Sequence, residues 1–325
     1  MKAVLYLYRR ADPAVRLAEE FPDLDWEIVW SAAEAGAAIG DADILVMTNR
    51  ICTPELGGIL NKRITPRLKW VHYVSAGIER GWAMGLPDRL LVSNASGAKA
   101  PVISEHAMTL LLAIARRLPD MRRAQKAHQW QRIEINPLML SLEGATVTII
   151  GLGGVGREVA RKLKAFDARV FVVSRAGAGD ANIDRIFPRE QINDALSRSD
   201  AVIVCTNADP SSLHMIGAAQ FAAMKPGSYI VNVARGEILD EAALIEALRS
   251  RHIGGAGLDV AEIEPPEPDN PLFEMENVIL SPHVAGGGST GYARQKEIFA
   301  ENLRRFRAEE PLYTPCRPPI AELVR

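Results

Sequence analysis

The chain has 325 residues, a length that suits two domains better than one small core, with 24% charged residues and a formal net charge of −2. That balance gives a nucleic-acid partner no electrostatic support. The first ten residues hold too short an apolar run for a signal peptide, and no stretch approaches the roughly 18–20 apolar residues of a membrane span. Cys52, Cys205 and Cys316 are far apart and without paired spacing, which argues against a disulfide framework or a metal site; a cytoplasmic protein is expected.

Residues 1–100 alternate strand and helix. Apolar runs predict strands at 3–8, 26–30, 43–48, 69–75 and 90–94, with short helices at 13–21, 34–39 and 54–61. Such alternation implies a parallel sheet with crossover helices, here without a glycine fingerprint. A long helix is predicted over 101–118, since proline is acceptable in a first turn. Its segment 107–115 is apolar apart from Thr109, so it is expected to be buried between domains or across the two-fold of a homodimer. His106 on that helix reads as a packed or capped structural histidine before a catalytic one. Residues 119–143 are polar and give no clear element.

A second α/β unit runs from 142 to about 288. Six strands are predicted, at 145–150, 169–173, 201–205, 228–233, 256–260 and 278–280, with helices near 157–166, 189–198, 217–224 and 241–250. A helix over 290–307 and a tail with Pro311, Pro315, Pro318 and Pro319 follow. The expected fold is α/β with two Rossmann-like, doubly wound parallel-sheet domains. The first is discontinuous, a flavodoxin-like substrate-binding domain of 1–100 plus 289–325, and the second is a dinucleotide-binding domain of 101–288.

The strongest local signal is Gly151-Leu152-Gly153-Gly154-Val155-Gly156, between a β-branched run at 145–150 and a helical pattern with apolar residues at 159, 160, 163 and 166. Strand, G-x-G-x-x-G turn and helix make the dinucleotide-binding arrangement. Gly151 permits the tight turn, Gly153 lets a pyrophosphate approach the backbone, and Gly156 lets the helix pack close to the strand. The helix N-terminus then faces the phosphates. At the end of the second strand of this unit, where an acidic residue would read a ribose 2′-hydroxyl, the chain has Ser174 and Arg175, which favours NADP over NAD.

Three residues after strands of this unit are catalytic candidates: Arg235, Glu264 and His283. Ligands of open α/β sheets bind outside the carboxyl ends of the strands. A guanidinium can hold a carboxylate and polarise the neighbouring oxygen. An imidazole can give a proton to a developing alkoxide and take it back, and an adjacent carboxylate fixes its tautomer. Taken singly, each reads as a surface ion pair; taken together they suggest hydride transfer to a carbonyl.

The chain resembles the D-isomer-specific 2-hydroxyacid dehydrogenases over nearly its whole length. The resemblance rests on Val74-Ser-Ala-Gly77, Gly151–Gly156, Met224-Lys-Pro-Gly227, Asn232-Val-Ala-Arg-Gly236, Gly255-Ala-Gly-Leu-Asp-Val260, Glu264-Pro265, Pro271-Leu272 and Ser281-Pro-His283. It implies Arg235 as substrate-binding and electrostatic, His283 as acid/base and substrate contact, and Glu264 as its carboxylate partner. It also implies backbone donors from Ser75, Ala76 and Gly77 for a substrate carboxylate, Asp259 near the nicotinamide amide, and cofactor contacts at Thr206, Val233, Ala234, Ala285 and Gly286. Where the family often has a Leu-Pro pair, this chain has Thr206-Asn-Ala-Asp-Pro210, so the cofactor-adjacent loop is expected to differ in shape. The implied activity is NAD(P)H-dependent reduction of a small 2-keto acid, nearest the glyoxylate/hydroxypyruvate reductases; the apolar run at 107–115 separately predicts a homodimer. The alternative is a dinucleotide-sensing binding protein without significant turnover. Arg50, after the strand ending at 48, is a candidate for the substrate pocket, with a solvated loop arginine the competing reading.

Overall fold

The computed structural model describes residues 1–175, 180–206, 208–288 and 290–316, and of Glu79 the backbone alone. Asn207, Pro318 and Pro319 lie outside the described residues. The chain divides into two compact units, 1–99 with 288–325, and 100–287.

In the first unit five parallel strands, β1 (Lys2–Tyr6), β2 (Asp25–Val29), β3 (Ile44–Met47), β4 (Trp70–Tyr73) and β5 (Leu91–Asn94), lie in the order β2-β1-β3-β4-β5. Strand β3 is apolar throughout and buried on both faces, as a central parallel strand covered by helices must be. The segment expected as one helix over 13–21 is a 3-10 turn, Pro13–Arg16, passing into a single turn, Leu17–Glu20. The helix Gly291–Arg307 returns to this unit and buries Phe299 and Leu303 among Ala3, Leu5 and Trp70. Beyond it the chain docks on β5: the Thr314 hydroxyl donates to Asn94 O at 2.6 Å and Cys316 N–H to Val92 O at 2.8 Å.

The second unit holds seven parallel strands rather than six: β6 (Thr146–Ile150), β7 (Arg169–Val173), β8 (Arg185–Phe187), β9 (Ala201–Val204), β10 (Ser228–Asn232), β11 (Ile253–Leu258) and β12 (Val278–Leu280). Three residues are too few to display alternation, which hides β8 in the sequence; the sheet recruits it through β7 and buries Phe187 completely. The order β12-β11-β10-β9-β6-β7-β8 shows double winding, reversing direction between β6 and β9.

The long helix, Ala100–Ala115, ends three residues before the expected 118. Arg117 takes the left-handed conformation (φ 60°), and Leu118–Lys126 starts a second helix with Pro119 in its first turn. The Arg117–Asp120 ion pair, 2.7 Å, spans that corner. The unread stretch beyond contains this helix, a short one at Arg132–Ile135 and a 3-10 turn at Asn136–Leu138.

The apolar helix, expected between domains or subunits, packs one face on the sheet of its own unit. Ala107, Leu111 and Ala115 are fully buried in one cluster with Val147, Ile149, Leu163 and Val231 of the same unit. A Cβ added to Gly257 would stand 2.8 Å from Leu110 Cβ, so the glycine in β11 permits the close approach of helix to sheet. The helix satisfies its apolar face on its own sheet.

Candidate active site

The glycine turn is built by steric necessity. Gly151 follows β6 with φ +101°, and a Cβ there would lie 2.7–2.9 Å from Thr206. A Cβ at Gly156 would meet Gly151 O at 2.2 Å, so only glycine lets the helix Gly154–Lys164 begin this close to the strand. At Gly153 the same test meets nothing within 4 Å. The turn is closed toward the protein at 151 and 156 and open at 153, with Gly154, Val155 and Gly156 in the first helical turn and their N–H groups free of intrahelical partners.

A cavity of about 230 Å³ opens there, at the carboxyl ends of β6, β7 and β9, lined by Gly151, Gly153, Ser174, Arg175, Thr206 and Asp209 among others. The open glycine, the helix start and the cavity at the switch point fit a dinucleotide pyrophosphate. Two residues that sequence reading did not single out sit at its rim. Asp209 accepts an ion pair from Arg175 Nη2 at 3.1 Å, and Arg189 Nη1 donates to Ser211 Oγ at 2.6 Å. Burial acts to push the Asp209 carboxyl up, but hydrogen bonds from Ser211 and the guanidiniums of Arg175 and Arg189 hold it below the ordinary carboxylate range. Arg189 follows the short strand β8, and Asp209 belongs to the loop 206–210, which was expected to differ in shape.

Arg235 lies just beyond β10, where Asn232 Nδ2 donates to its carbonyl at 2.9 Å and its own Nη1 donates to Ala234 O at 2.8 Å. Asn232 Oδ1 also receives the Ala234 N–H, and Val233 and Ala234 are buried. A Cβ at Gly236 would stand 1.9 Å from Ala261 O. That contact presses the Arg235 loop against the segment leading to Glu264.

Glu264 and His283 are brought together. Glu264 Oε2 lies 2.7 Å from His283 Nδ1, while Oε1 accepts the Ala261 N–H at 3.3 Å. Both side chains are partly exposed. With the carboxylate on Nδ1, the imidazole turns Nε2 away as the proton-exchanging atom. His283 itself is left-handed (φ 53°), held by its N–H to Asp259 O at 2.8 Å. Asp259, 1% exposed, accepts N–H groups of Val284 and Ala285, so it secures the loop that carries His283; Gly286 follows directly.

In the first unit, the Ser75 hydroxyl accepts from Asn49 N–H and donates to Gly77 O, both at 3.0 Å, which ties the loops after β3 and β4 together. Asn94 Nδ2 holds the carbonyl of Ala76 in the same turn. Arg50 is exposed and stacks its guanidinium 5.4 Å from the Tyr8 ring centre, a surface cation–π contact.

These features define a class: an α/β dinucleotide-binding unit with a histidine–carboxylate pair at the carboxyl edge of its sheet. Residues 108–285 match the family described as D-isomer specific 2-hydroxyacid dehydrogenase, NAD binding domain. The chain belongs to the D-isomer-specific 2-hydroxyacid dehydrogenase family. It is 36% identical over 277 residues to a glyoxylate reductase of Thermococcus gammatolerans, covering 83% of this chain and 80% of that one. It is also 36% identical over 234 residues to a D-3-phosphoglycerate dehydrogenase of Archaeoglobus fulgidus, covering 71% of this chain but only 42% of the relative. A solved D-isomer specific 2-hydroxyacid dehydrogenase from Xanthobacter autotrophicus Py2, in complex with NADPH and MES, superposes with a TM-score of 0.82 at 27% identity, over 97% of this chain and 98% of that one. Among the described residues no helix is long and apolar enough to cross a membrane.

Proposed function

We propose that the protein reduces a small 2-keto acid to its D-2-hydroxy acid, in the manner of a glyoxylate or hydroxypyruvate reductase, with NADPH preferred over NADH. The observation that carries this reading is the 2.7 Å pairing of Glu264 with His283 Nδ1, which leaves Nε2 as the proton donor. That pairing favours turnover over a binding-only, dinucleotide-sensing role. When bound, the nicotinamide supplies a hydride to the substrate C2. His283 Nε2 delivers the proton to the C2 oxygen, Glu264 holds the ring and stabilises the imidazolium, and Arg235 holds the carboxylate and polarises the carbonyl.

In this reading residues 101–288 form the dinucleotide-binding domain, and 1–100 with 289–325 the substrate-binding domain. Gly151, Gly153, Gly154, Val155 and Gly156 receive the pyrophosphate. Ser174 and Arg175 receive the adenosine ribose, joined at its rim by Arg189. Thr206, Val233, Ala234, Asp259, Ala285 and Gly286 complete the cofactor contacts. Ser75, Ala76 and Gly77 supply backbone donors for the substrate carboxylate, and Arg50 a further positive charge.

A homodimer belongs to the same proposal. Its contact would take in Trp130, 93% exposed, and Ile133, 83% exposed, two apolar side chains on the otherwise polar segment 118–138. Light scattering at twice 35.5 kDa is the expected result, and a monomer at working concentration removes it. The test of function is absorbance at 340 nm with NADPH or NADH and a panel of 2-keto acids, glyoxylate and hydroxypyruvate first. Turnover of neither by micromolar enzyme would sink the activity.

A further inference from the structure

His106 lies near the middle of the helix Ala100–Ala115, outside every motif that carries the chemistry. Its Nε2 is nevertheless 2.9 Å from Ser281 Oγ and 3.3 Å from Asp259 Oδ1. Ser281 stands two residues before His283, on the loop that leaves β12.

The hydrogen positions follow from the partners. Ser281 Oγ lies 2.6 Å from Asp259 Oδ1, and a carboxylate oxygen only accepts, so the single hydroxyl proton is committed to Asp259. The hydroxyl can therefore only accept from His106, and the proton sits on His106 Nε2. Asp259 Oδ1 also accepts the Val284 N–H at 2.9 Å, and Oδ2 the Ala285 N–H at 2.8 Å. The chain of donors runs from His106 through Ser281 to Asp259, and from there to the backbone on both sides of His283.

We infer that His106 is a positioning residue for the acid–base histidine. Its Nε2–H locks the Ser281 hydroxyl toward Asp259, and the locked Asp259 carboxylate fixes the left-handed turn in which His283 faces the substrate. The inference rests on the reading of His283 as the proton donor. Without the His106 donor, Ser281 can rotate toward Leu258 O, which already lies 3.4 Å away, and Asp259 loses one of the groups that hold the loop. A misplacement of about 1 Å at a reacting group costs on the order of a hundredfold in rate, so even partial loosening is measurable.

The test uses the full-length protein with His106→Leu, which removes the donor, and His106→Gln, which offers an N–H close to the position of Nε2. The expected result is a kcat roughly tenfold or more lower in His106→Leu, with the keto-acid KM within about threefold of wild type and most of the loss restored in His106→Gln. Combining His106→Leu with Ser281→Ala should cost no more than Ser281→Ala alone, because both break one chain. A His106→Leu enzyme within twofold of wild type overturns the inference, as do additive losses or a Gln variant no better than Leu at equal Tm. Imidazole ¹⁵N spectra of the unliganded wild type at pH 8 give a readout free of turnover and of the His106 variants' folding. They should show His106 protonated on Nε2, and the His283 ring signals should move in Ser281→Ala. An Nδ1–H tautomer at His106, or unmoved His283 signals, refutes the positioning role even where no keto acid is reduced. Absence of turnover with both NMR results as expected would count against the proposed activity alone.

Discussion

Arg175 should set the cofactor preference, and its pairing with Asp209 decides how strongly. A charge-assisted hydrogen bond to a 2′-phosphate contributes roughly 1.5–3 kcal/mol. Arg175 is not idle beforehand: it pairs with Asp209 at 3.1 Å, with its side chain 66% exposed. An ion pair that open to solvent contributes about 0.2–1 kcal/mol, which must be given up if Arg175 turns to the phosphate. The difference, roughly 0.5–2.8 kcal/mol, corresponds to a preference for NADPH between about twofold and a hundredfold. Arg175→Ala should lose that factor in the ratio of kcat/KM for NADPH to that for NADH. Asp209→Asn should raise it, by freeing Arg175 and removing a negative charge from the rim. Calorimetric titration with 2′,5′-ADP and 5′-AMP isolates the phosphate contribution from catalysis. Equal affinity of the wild type for these two ligands would refute the reasoning, and so would an Arg175→Ala enzyme that keeps its NADPH preference.

Two further perturbations separate chemistry from architecture. His283→Ala should lower kcat for keto-acid reduction by about 10²–10⁴-fold in steady-state assays, and a loss under tenfold would place the proton donor elsewhere. Gly153→Ala should keep the wild-type Tm but lose dinucleotide binding in a fluorescence titration, since its Cβ points into open space, whereas Gly156→Ala should lose about 1–3 kcal/mol of stability because its Cβ would fall 2.2 Å from Gly151 O. The reverse pattern would mean that the turn does not face the cofactor.

What the sequence made legible follows from how tightly physics constrains each residue. The glycines at 151 and 156 were legible because neighbouring backbone leaves no room for a side chain, whereas at 153 a Cβ would meet nothing within 4 Å and the reading rests on the proposed pyrophosphate. The strands of both sheets were readable from β-branched runs such as Thr146–Ile150, where burial on both faces leaves little choice. Strand β8 was not, because Arg185–Phe187 is defined by its neighbour β7 rather than by its own pattern. The end of the long helix was misplaced for a similar reason. The apolar pattern runs on smoothly, but Arg117 turns left-handed and an Arg117–Asp120 pair closes the corner, a backbone event with no compositional mark. His106 and Asp209 were unread as site residues because their partners stand 175 and 34 positions away. A side chain's place in a hydrogen-bonded chain is a property of the fold, whereas a G-x-G-x-x-G turn carries its signature in its own spacing.

Stability in acid should be governed in part by His72, at the centre of β4. The imidazole is fully buried, 5.7 Å from the Trp70 ring and 5.3 Å from that of Phe299, and burial pushes its pKa down from 6.5 to about 3. Nδ1 has Ser93 Oγ at 2.8 Å, while Nε2 has no partner among the described residues, so no carboxylate offsets a charge on the ring. An unfolded His72 takes up a proton below about 6.5 and the folded one does not until about 3. The unfolded state therefore binds more protons throughout that window, and stability falls as pH drops through it. Between pH 7.5 and 5.5 the loss from this one group is about 1.4 kcal/mol, and over the full window it is bounded at about 5 kcal/mol. Four of the five tryptophans, Trp26, Trp30, Trp70 and Trp82, lie in the first unit, so tryptophan fluorescence in urea reports chiefly on the unit that holds His72. His72→Leu should be less stable than wild type at pH 7.5, having lost ring packing, yet lose about 1.4 kcal/mol less than wild type on going to pH 5.5. Comparing the two pH differences cancels every other titrating group. Equal differences in the two proteins would mean that water or another dipole stabilises the charged ring, and that β4 is not the acid-sensitive element of the fold.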